Sequence, residues 1–356
     1  MAVLFFAGRI FPQGSKFVMN IGYSTIIQVL SEIATLDPNQ IQKIYLEHGD
    51  MGALSEYAVS IKNVISLFQQ QPLTLLSAYG RLKDIADTIG SGSGKDKRNI
   101  LKGLLIDSLP HEAKYLIKII SGEMRIGLTE GLVEIAISKV FRRDLKDVRD
   151  SMLVSGDISK VLLLAKRNLL HTTLLKPLTP ISYMLADVMF VNYYQKPLIC
   201  EFKYDGIRAQ MHRSGKQIGL FSRNLSDVTN AFPELANAAM NVKHLSSTSL
   251  SDIDFILDGE VMAFQNGKPL HFQELQKRIH KKNLTKQTMT ETPIVYVVFD
   301  IMYFNGESLI KNPIKERKEI LSSIPFGEPI INSTYKIVNS EEEIIAMFEK
   351  SRDIGH

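Results

Sequence analysis

One cysteine, Cys200, is all the thiol chemistry in this 356-residue chain. A lone cysteine excludes an internal disulfide and a multi-cysteine zinc site. The expected compartment is reducing and intracellular (cytoplasmic), with Cys200 as a small buried hydrophobe. Long apolar runs are missing as well. No stretch reaches the roughly 20 residues that a spanning helix requires, so no membrane association is expected. The opening segment Met1-Ala-Val-Leu-Phe-Phe-Ala is apolar but too short for a signal peptide, and no basic residue precedes it. A large excess of charge of one sign is missing too. The formal net charge of +4 does not by itself announce a nucleic-acid partner. No internal repeat is visible.

What is present is ordinary globular material, 45% hydrophobic and 22% charged, in a chain too long for one typical core. Two domains are expected. From about Ile21 to Leu170 apolar residues recur at helical spacing. Ile26, Leu30, Ile33 and Ala34 form one stripe, Leu101, Leu104 and Leu105 a second, and Leu132, Ile135, Ala136 and Val140 a third. From Pro197 the grammar changes to short β-rich runs, at Ile218–Ser222, Phe255–Phe264 and Ile294–Phe299. Pro177 and Pro180 suit a stiff connector between the halves. The expected layout is an extension of unknown role over 1–18, an all-α domain over 19–175, a connector over 176–190 and an α+β domain with a mixed or antiparallel sheet over 191–356. Ser340 is placed to cap a last amphipathic helix running through Phe348.

Gly90-Ser-Gly-Ser-Gly-Lys-Asp resembles a phosphate-cradling loop but fails on spacing. Asp96 stands where a magnesium-binding hydroxyl is required, and a helical segment precedes it. A flexible loop that touches a DNA backbone is the expected reading.

The most informative stretch is Glu201-Phe-Lys203-Tyr-Asp205-Gly206-Ile-Arg208. A lysine inside a β-rich, partly apolar segment is costly unless compensated. Loss of hydration and the nearby cations Arg208 and Arg223 favour the neutral amine, which is a competent nucleophile. Gly206 lets the backbone turn and approach a ligand. Alone the pattern is weak, since residue usage gives a Lys-x-Asp-Gly about one chance in fifteen here. Three later stretches add weight by their order along the chain: Ser222-Arg223-Asn224, then Leu257-Asp258-Gly259-Glu260, then Val298-Phe299-Asp300, each expected at a strand end. The second of these supplies carboxylates of the hard-oxygen type that Mg²⁺ prefers.

In this order the four stretches resemble the covalent nucleotidyltransferases, the superfamily of DNA ligases, RNA ligases and mRNA capping enzymes. The finer resemblance is to ATP-dependent DNA ligases of the archaeal and eukaryotic replicative type, through Cys200–His212, Phe221-Ser-Arg-Asn and Phe299-Asp-Ile-Met-Tyr-Phe-Asn-Gly-Glu-Ser-Leu. That resemblance implies that Lys203 attacks the α-phosphorus of ATP and carries AMP as a phosphoramidate. It places Glu201 beside the adenine, Phe299 stacked on it, Arg208 and Arg223 at the sugar and phosphates, and Glu260 at the ribose or on a Mg²⁺ path. AMP would then pass to the 5′-phosphate of a nick and be displaced by the 3′-hydroxyl, in replication, repair and recombination.

The helical half fits the same resemblance. Ile119-Ile-Ser-Gly-Glu-Met-Arg125-Ile-Gly127-Leu is similar to a segment of the ligase DNA-binding domain, with Arg125 supplying charge and Gly127 allowing close approach to a sugar-phosphate backbone. Lys95, Lys97, Arg98 and Lys102, with Arg142 and Arg143, form basic clusters compatible with phosphate contacts. Pro177-Leu-Thr-Pro180 before Met184 resembles the connector into the adenylation domain. Tyr183 stands there where the family usually has proline, which implies a less rigid connector. The family continues with a Glu-Gly strand, a Lys-x-Lys strand and an OB fold. None follows His356, so a fragment or truncated reading frame that cannot complete ligation is expected. The implied partners are nicked duplex DNA and ATP, with a sliding clamp as a further candidate and a monomer as the expected state. The rival readings are an RNA ligase or capping-type enzyme and a non-catalytic duplex- or nick-binding protein.

Overall fold

The hydrophobic stripes become helices where local capping starts and stops them. The structure, a computed structural model, describes residues 1–15, 17–62, 72–183, 197–245, 250–265, 268–279 and 284–354. They divide into two compact units, Met1–Met152 with Asp157–His171, and Leu153–Gly156 with Thr172–His356. Of the connector expected over 176–190, residues 184–190 lie outside the described residues.

The helical region contains α1 (Ala2–Phe6), α2 (Tyr23–Ala34), α3 (Pro38–His48), α4 (Met51–Ser60), α5 (Leu75–Asp87), α6 (Ser93–Ile106), α7 (Pro110–Ser121), α8 (Glu130–Phe141), α9 (Leu145–Ser155) and α10 (Ile158–Arg167). At α3, Asp37 accepts the Asn39 and Gln40 amides while Gln40 accepts from the Asp37 amide, with Pro38 in the first turn. The stripes of α2 and α6 pack into one core with Leu54 of α4 and Ile117 of α7. A second core joins Leu4, Val133, Ile137, Val148 and Val161.

Leu4, Phe5, Ile10 and Phe11, in the stretch expected as an extension of unknown role, are buried in these cores. Two expectations for this unit are corrected. In α8 the buried face is Val133 and Ile137, whereas Leu132 and Val140 are exposed. A helical period admits either overlapping face, and the neighbouring helices choose. The glycine-rich stretch is no loop from Ser93 onward. It forms the first turn of α6, entered through Gly92 at φ 86°.

The second unit contains β1 (Leu198–Glu201), β2 (Ile207–Ser214), β3 (Gln217–Ser222), α11 (Pro233–Asn241), β4 (Lys243–Leu245), β5 (Leu250–Asp252), β6 (Phe255–Gln265), β7 (Lys268–Pro269), α12 (Phe272–Ile279), α13 (Lys286–Glu291), β8 (Ile294–Phe304), β9 (Glu307–Ser308), α14 (Ile314–Ser323), β10 (Ile330–Asn332), β11 (Tyr335–Val338) and α15 (Glu341–Asp353). The main sheet runs β10-β8-β6-β2-β3, with β7 on β6 and β9 on β8. Its pairings are antiparallel except β10 with β8. The fold is thus the expected α+β arrangement with a mixed sheet. β1 pairs separately with β11, and β4 with β5. β6 and β8 are buried on both faces, which explains their nearly continuous apolar runs. Ser340 caps α15 as expected, its hydroxyl accepting the Glu343 amide at 3.3 Å. Cys200 is half-buried on β1.

Candidate active site

Strand pairing assembles the site. β2 lies against β6 with Arg208 opposite Glu260, and Asp258, two residues along, shares that face. β8 lies on the other side of β6, and its pairing register shifts between Asp258 and Gly259. Such an irregularity re-aims neighbouring side chains. The carboxylate and aromatic motifs therefore sit in the middle of β6 and β8, not at strand ends as the sequence suggested. Gly206 and Gly259 are explained by the same packing. A Cβ on Gly206 would lie 2.2 Å from the Val261 carbonyl oxygen, and one on Gly259 would lie 2.6 Å from the Val297 carbonyl oxygen. The close neighbour that Gly206 accommodates is a strand, where a ligand was expected.

Glu201, Lys203, Arg208, Arg223, Glu260 and Phe299 all line one open cleft of about 460 Å³, together with Phe202, Tyr204 and Asp205. That volume falls in the range of small-molecule sites. Lys203 stands in the loop joining β1 to β2 and is exposed. The dehydrated lysine expected from sequence is thus not what is found.

Arg208 is held in place from several sides. It makes a two-point ion pair with Asp258, at 2.7 and 3.2 Å. Its guanidinium lies 4.7 Å from the Tyr183 ring centre and 5.6 Å from that of Phe299. The Tyr183 hydroxyl donates to the Phe221 carbonyl at 2.9 Å. Burial pushes the Asp258 carboxyl above the usual range, and the bond to Arg208 opposes this. Asp258 is therefore committed to Arg208 and is removed from the carboxylates expected to face a metal. Glu260 differs. Burial, reinforced by repulsion from Asp258, pushes its carboxyl up to about 7 against the opposing pull of Arg208 and Lys203.

Among the described residues no cluster of three histidine, cysteine or acidic side chains could hold a metal ion. Glu260 alone is still a fitting donor for Mg²⁺, which keeps several waters and binds through one or two carboxylates plus substrate phosphates.

Sequence reasoning missed two contributors. Tyr183 was read only for the stiffness of the connector, yet it covers Arg208. Lys318 on α14 reaches the Glu201 carboxylate and the Phe299 carbonyl. No motif marked either residue, because their roles depend on contacts distant in sequence.

The helical unit places its expected cations unevenly. Lys95 is exposed and Arg98 half-buried at the start of α6. Lys97 is buried, and its ammonium donates to the Met19 carbonyl at 2.8 Å, so it is not a surface cation for phosphate. Arg125 and Gly127 line one surface hollow of mixed character, with Glu123 and Thr129 beside Met124 and Ile126. Arg125 is also tied to the Gly49 carbonyl at 2.6 Å and to Glu123 at 2.8 Å. Gly127 has φ 69° with nothing within 4 Å of a would-be Cβ, so it serves the turn and leaves the surface open.

A cleft built on a mixed sheet, in a unit that follows a helical one along the chain, is the arrangement expected of a nucleotidyltransferase domain. Comparison with known proteins gives the family. Residues 1–138 match the DNA ligase N terminus, and residues 181–356 match the ATP dependent DNA ligase domain. A probable DNA ligase of Koribacter versatilis is 34% identical over 340 residues, covering 91% of this chain and 54% of that protein. DNA ligases of Archaeoglobus fulgidus and Methanoculleus marisnigri are 29% and 31% identical, each covering 99% of this chain and 63% of the relative. The chain belongs to the ATP-dependent DNA ligase family. It spans 54% to 63% of the length of these three relatives.

Proposed function

We propose that this chain takes up AMP from ATP on Lys203 and belongs to a nick-sealing enzyme. The observation that carries this reading is the convergence on one cleft of the six residues that the resemblance assigns to the nucleotide, with Lys203 exposed. In the reaction the neutral Lys203 amine forms a bond to the α-phosphorus. The bond from that phosphorus to the bridging oxygen breaks, pyrophosphate leaves with the electron pair, and the amine proton passes to solvent. Exposure of Lys203 suits this role, since the amine must reach a phosphate and later surrender AMP to DNA. Phe299 offers a ring face to the base and Glu201 a carboxylate to its edge. Arg208, with its guanidinium preset by Asp258 and Tyr183, faces sugar and phosphate with Arg223. Preset charge of this kind is a major source of rate in phosphoryl transfer. Glu260 is the residue that would hold Mg²⁺, and that ion would supply charge neutralisation at the phosphates.

For the helical unit we propose sequence-independent contact with duplex DNA through Lys95, Arg98 and the Arg125–Gly127 turn. Backbone contacts of this kind depend on salt rather than on base sequence.

Incubation with ATP labelled at the α-phosphate tests the central step. Acid-labile protein-bound label is expected on the unmodified chain and not on Lys203→Arg, because a guanidinium stays protonated and cannot attack. Equal labelling of both proteins, or of neither, would remove Lys203 from this role. Covalent label also separates the enzyme from a protein that only binds DNA.

A further inference from the structure

Lys318 lies outside the cleft, on α14, and is 3% exposed. Its ammonium donates to Glu201 Oε1, to the Phe299 carbonyl at 2.6 Å and to Ser333 Oγ at 3.4 Å. The Ser333 hydroxyl in turn donates to the same Glu201 Oε1 at 2.8 Å. The ring of Tyr335, which pairs with Glu201 across β1 and β11, lies 5.0 Å from the ammonium. A buried ammonium persists only where acceptors surround it. Here two of those acceptors belong to residues that line the cleft, on β1 and β8, which are not neighbours in any sheet.

The consequence is directional. Glu201 Oε1 is occupied twice from behind, so the carboxylate cannot swing without breaking two bonds. Among the described residues no hydrogen bond is recorded for Oε2, and the Glu201 side chain remains 30% exposed where it lines the cleft. We propose that Lys318 is a positioning residue for base selection, holding Glu201 so that a fixed carboxylate oxygen meets the edge of a base lying on Phe299. The proposal rests on the nucleotide reading of the cleft given above. A fixed acceptor takes a hydrogen bond from the 6-amino group of adenine. It repels the 6-oxo group of guanine, and it is left unpaired by a purine lacking either. Sites built around a buried hydrogen-bonding group discriminate because a wrong ligand leaves that group unsatisfied.

ATP, GTP and purine riboside 5′-triphosphate are titrated by calorimetry into the full chain and into Lys318→Met, Lys318→Arg and Ser333→Ala, with thermal melts reporting folding. The unmodified chain is expected to prefer ATP by about tenfold or more, the size of one good hydrogen bond. In Lys318→Met the three affinities should converge to within about threefold, and Lys318→Arg should recover the preference. Ser333→Ala removes one of the two bonds from behind and should narrow the preference by about threefold. A folded Lys318→Met with undiminished preference overturns the proposal. Where Lys318→Met fails to melt cooperatively, unchanged selectivity in Ser333→Ala overturns it instead. Equal binding of all three nucleotides by the unmodified chain refutes base selection alone, whereas no binding of any of them refutes the nucleotide reading itself.

Discussion

The Tyr183 ring covers the Arg208 guanidinium at 4.7 Å, while Asp258 grips the same guanidinium at 2.7 Å. A cation over an aromatic face contributes about 0.5–2 kcal/mol, depending on how dry it is. Tyr183→Ala is therefore expected to weaken ATP binding by roughly three- to tenfold. Tyr183→Phe keeps the ring and loses only the bond to the Phe221 carbonyl, so it should retain most of the affinity. Identical dissociation constants for Tyr183→Ala and the unmodified chain would show that the ring does not position Arg208.

The proposed role of Glu260 as a Mg²⁺ donor carries a pH dependence. Its carboxyl, pushed up to about 7 first by burial, is largely neutral at pH 6 and ionised at pH 8. On the proposed reading, ionisation would place negative charge beside a bound triphosphate and create a ligand for a divalent cation. The gain in ATP affinity on adding Mg²⁺ should therefore be larger at pH 8 than at pH 6. In Glu260→Gln that pH dependence should flatten. Removal of the metal with a chelator should weaken binding more at the higher pH. A magnesium effect independent of pH in the unmodified chain would contradict this.

His212 contributes to the acid sensitivity of the second unit. The buried ring accepts the Leu178 amide on Nδ1 at 3.0 Å and shares a bond between Nε2 and the Gln210 side-chain oxygen at 3.1 Å. That oxygen also accepts the Ile181 amide, at 3.0 Å, so the network fastens residues 178–181 to β2. Burial lowers the His212 pKa from 6.5 to about 3. The unfolded state thus binds more protons than the folded one between these values. The contribution is fully present above pH 6.5 and is lost as pH falls toward 3, at up to about 1.4 kcal/mol per unit. Urea unfolding at pH 7.5 and 5.5 should show this loss, and His212→Asn should show a smaller one. Equal pH slopes in the two proteins would exclude His212 as the cause.

Two lysines two residues apart should separate DNA affinity from stability. Lys95→Glu combined with Arg98→Glu should weaken duplex binding at equal length for any sequence and reduce the salt slope by about two. Lys97→Met removes the buried bond to Met19 and should lower the melting temperature with little change in the salt slope. A lowered slope in Lys97→Met, or an unchanged one in the double variant, would reverse these assignments.

The sequence alone determined the helical half, the β-rich half and six of the nine described residues that line the cleft. Lys203, Arg223, Glu260 and Phe299, taken from the order of four short stretches, line one cleft because strand pairing brings those stretches together. The stripe of α2 was legible because burial repeats with the helical period. Tertiary structure decided what periodicity leaves open. It chose Val133 and Ile137 over Leu132 and Val140 as the buried face of α8, since only the neighbouring helices distinguish two overlapping faces. It buried Lys97, exposed Lys203 and turned Asp258 from a metal-facing carboxylate into the partner of Arg208. It also brought Tyr183 and Lys318 to the site, 25 and 117 residues from the side chains they hold. Burial and charge pairing are properties of what packs against a residue, and packing partners distant along the chain leave no mark in its local pattern.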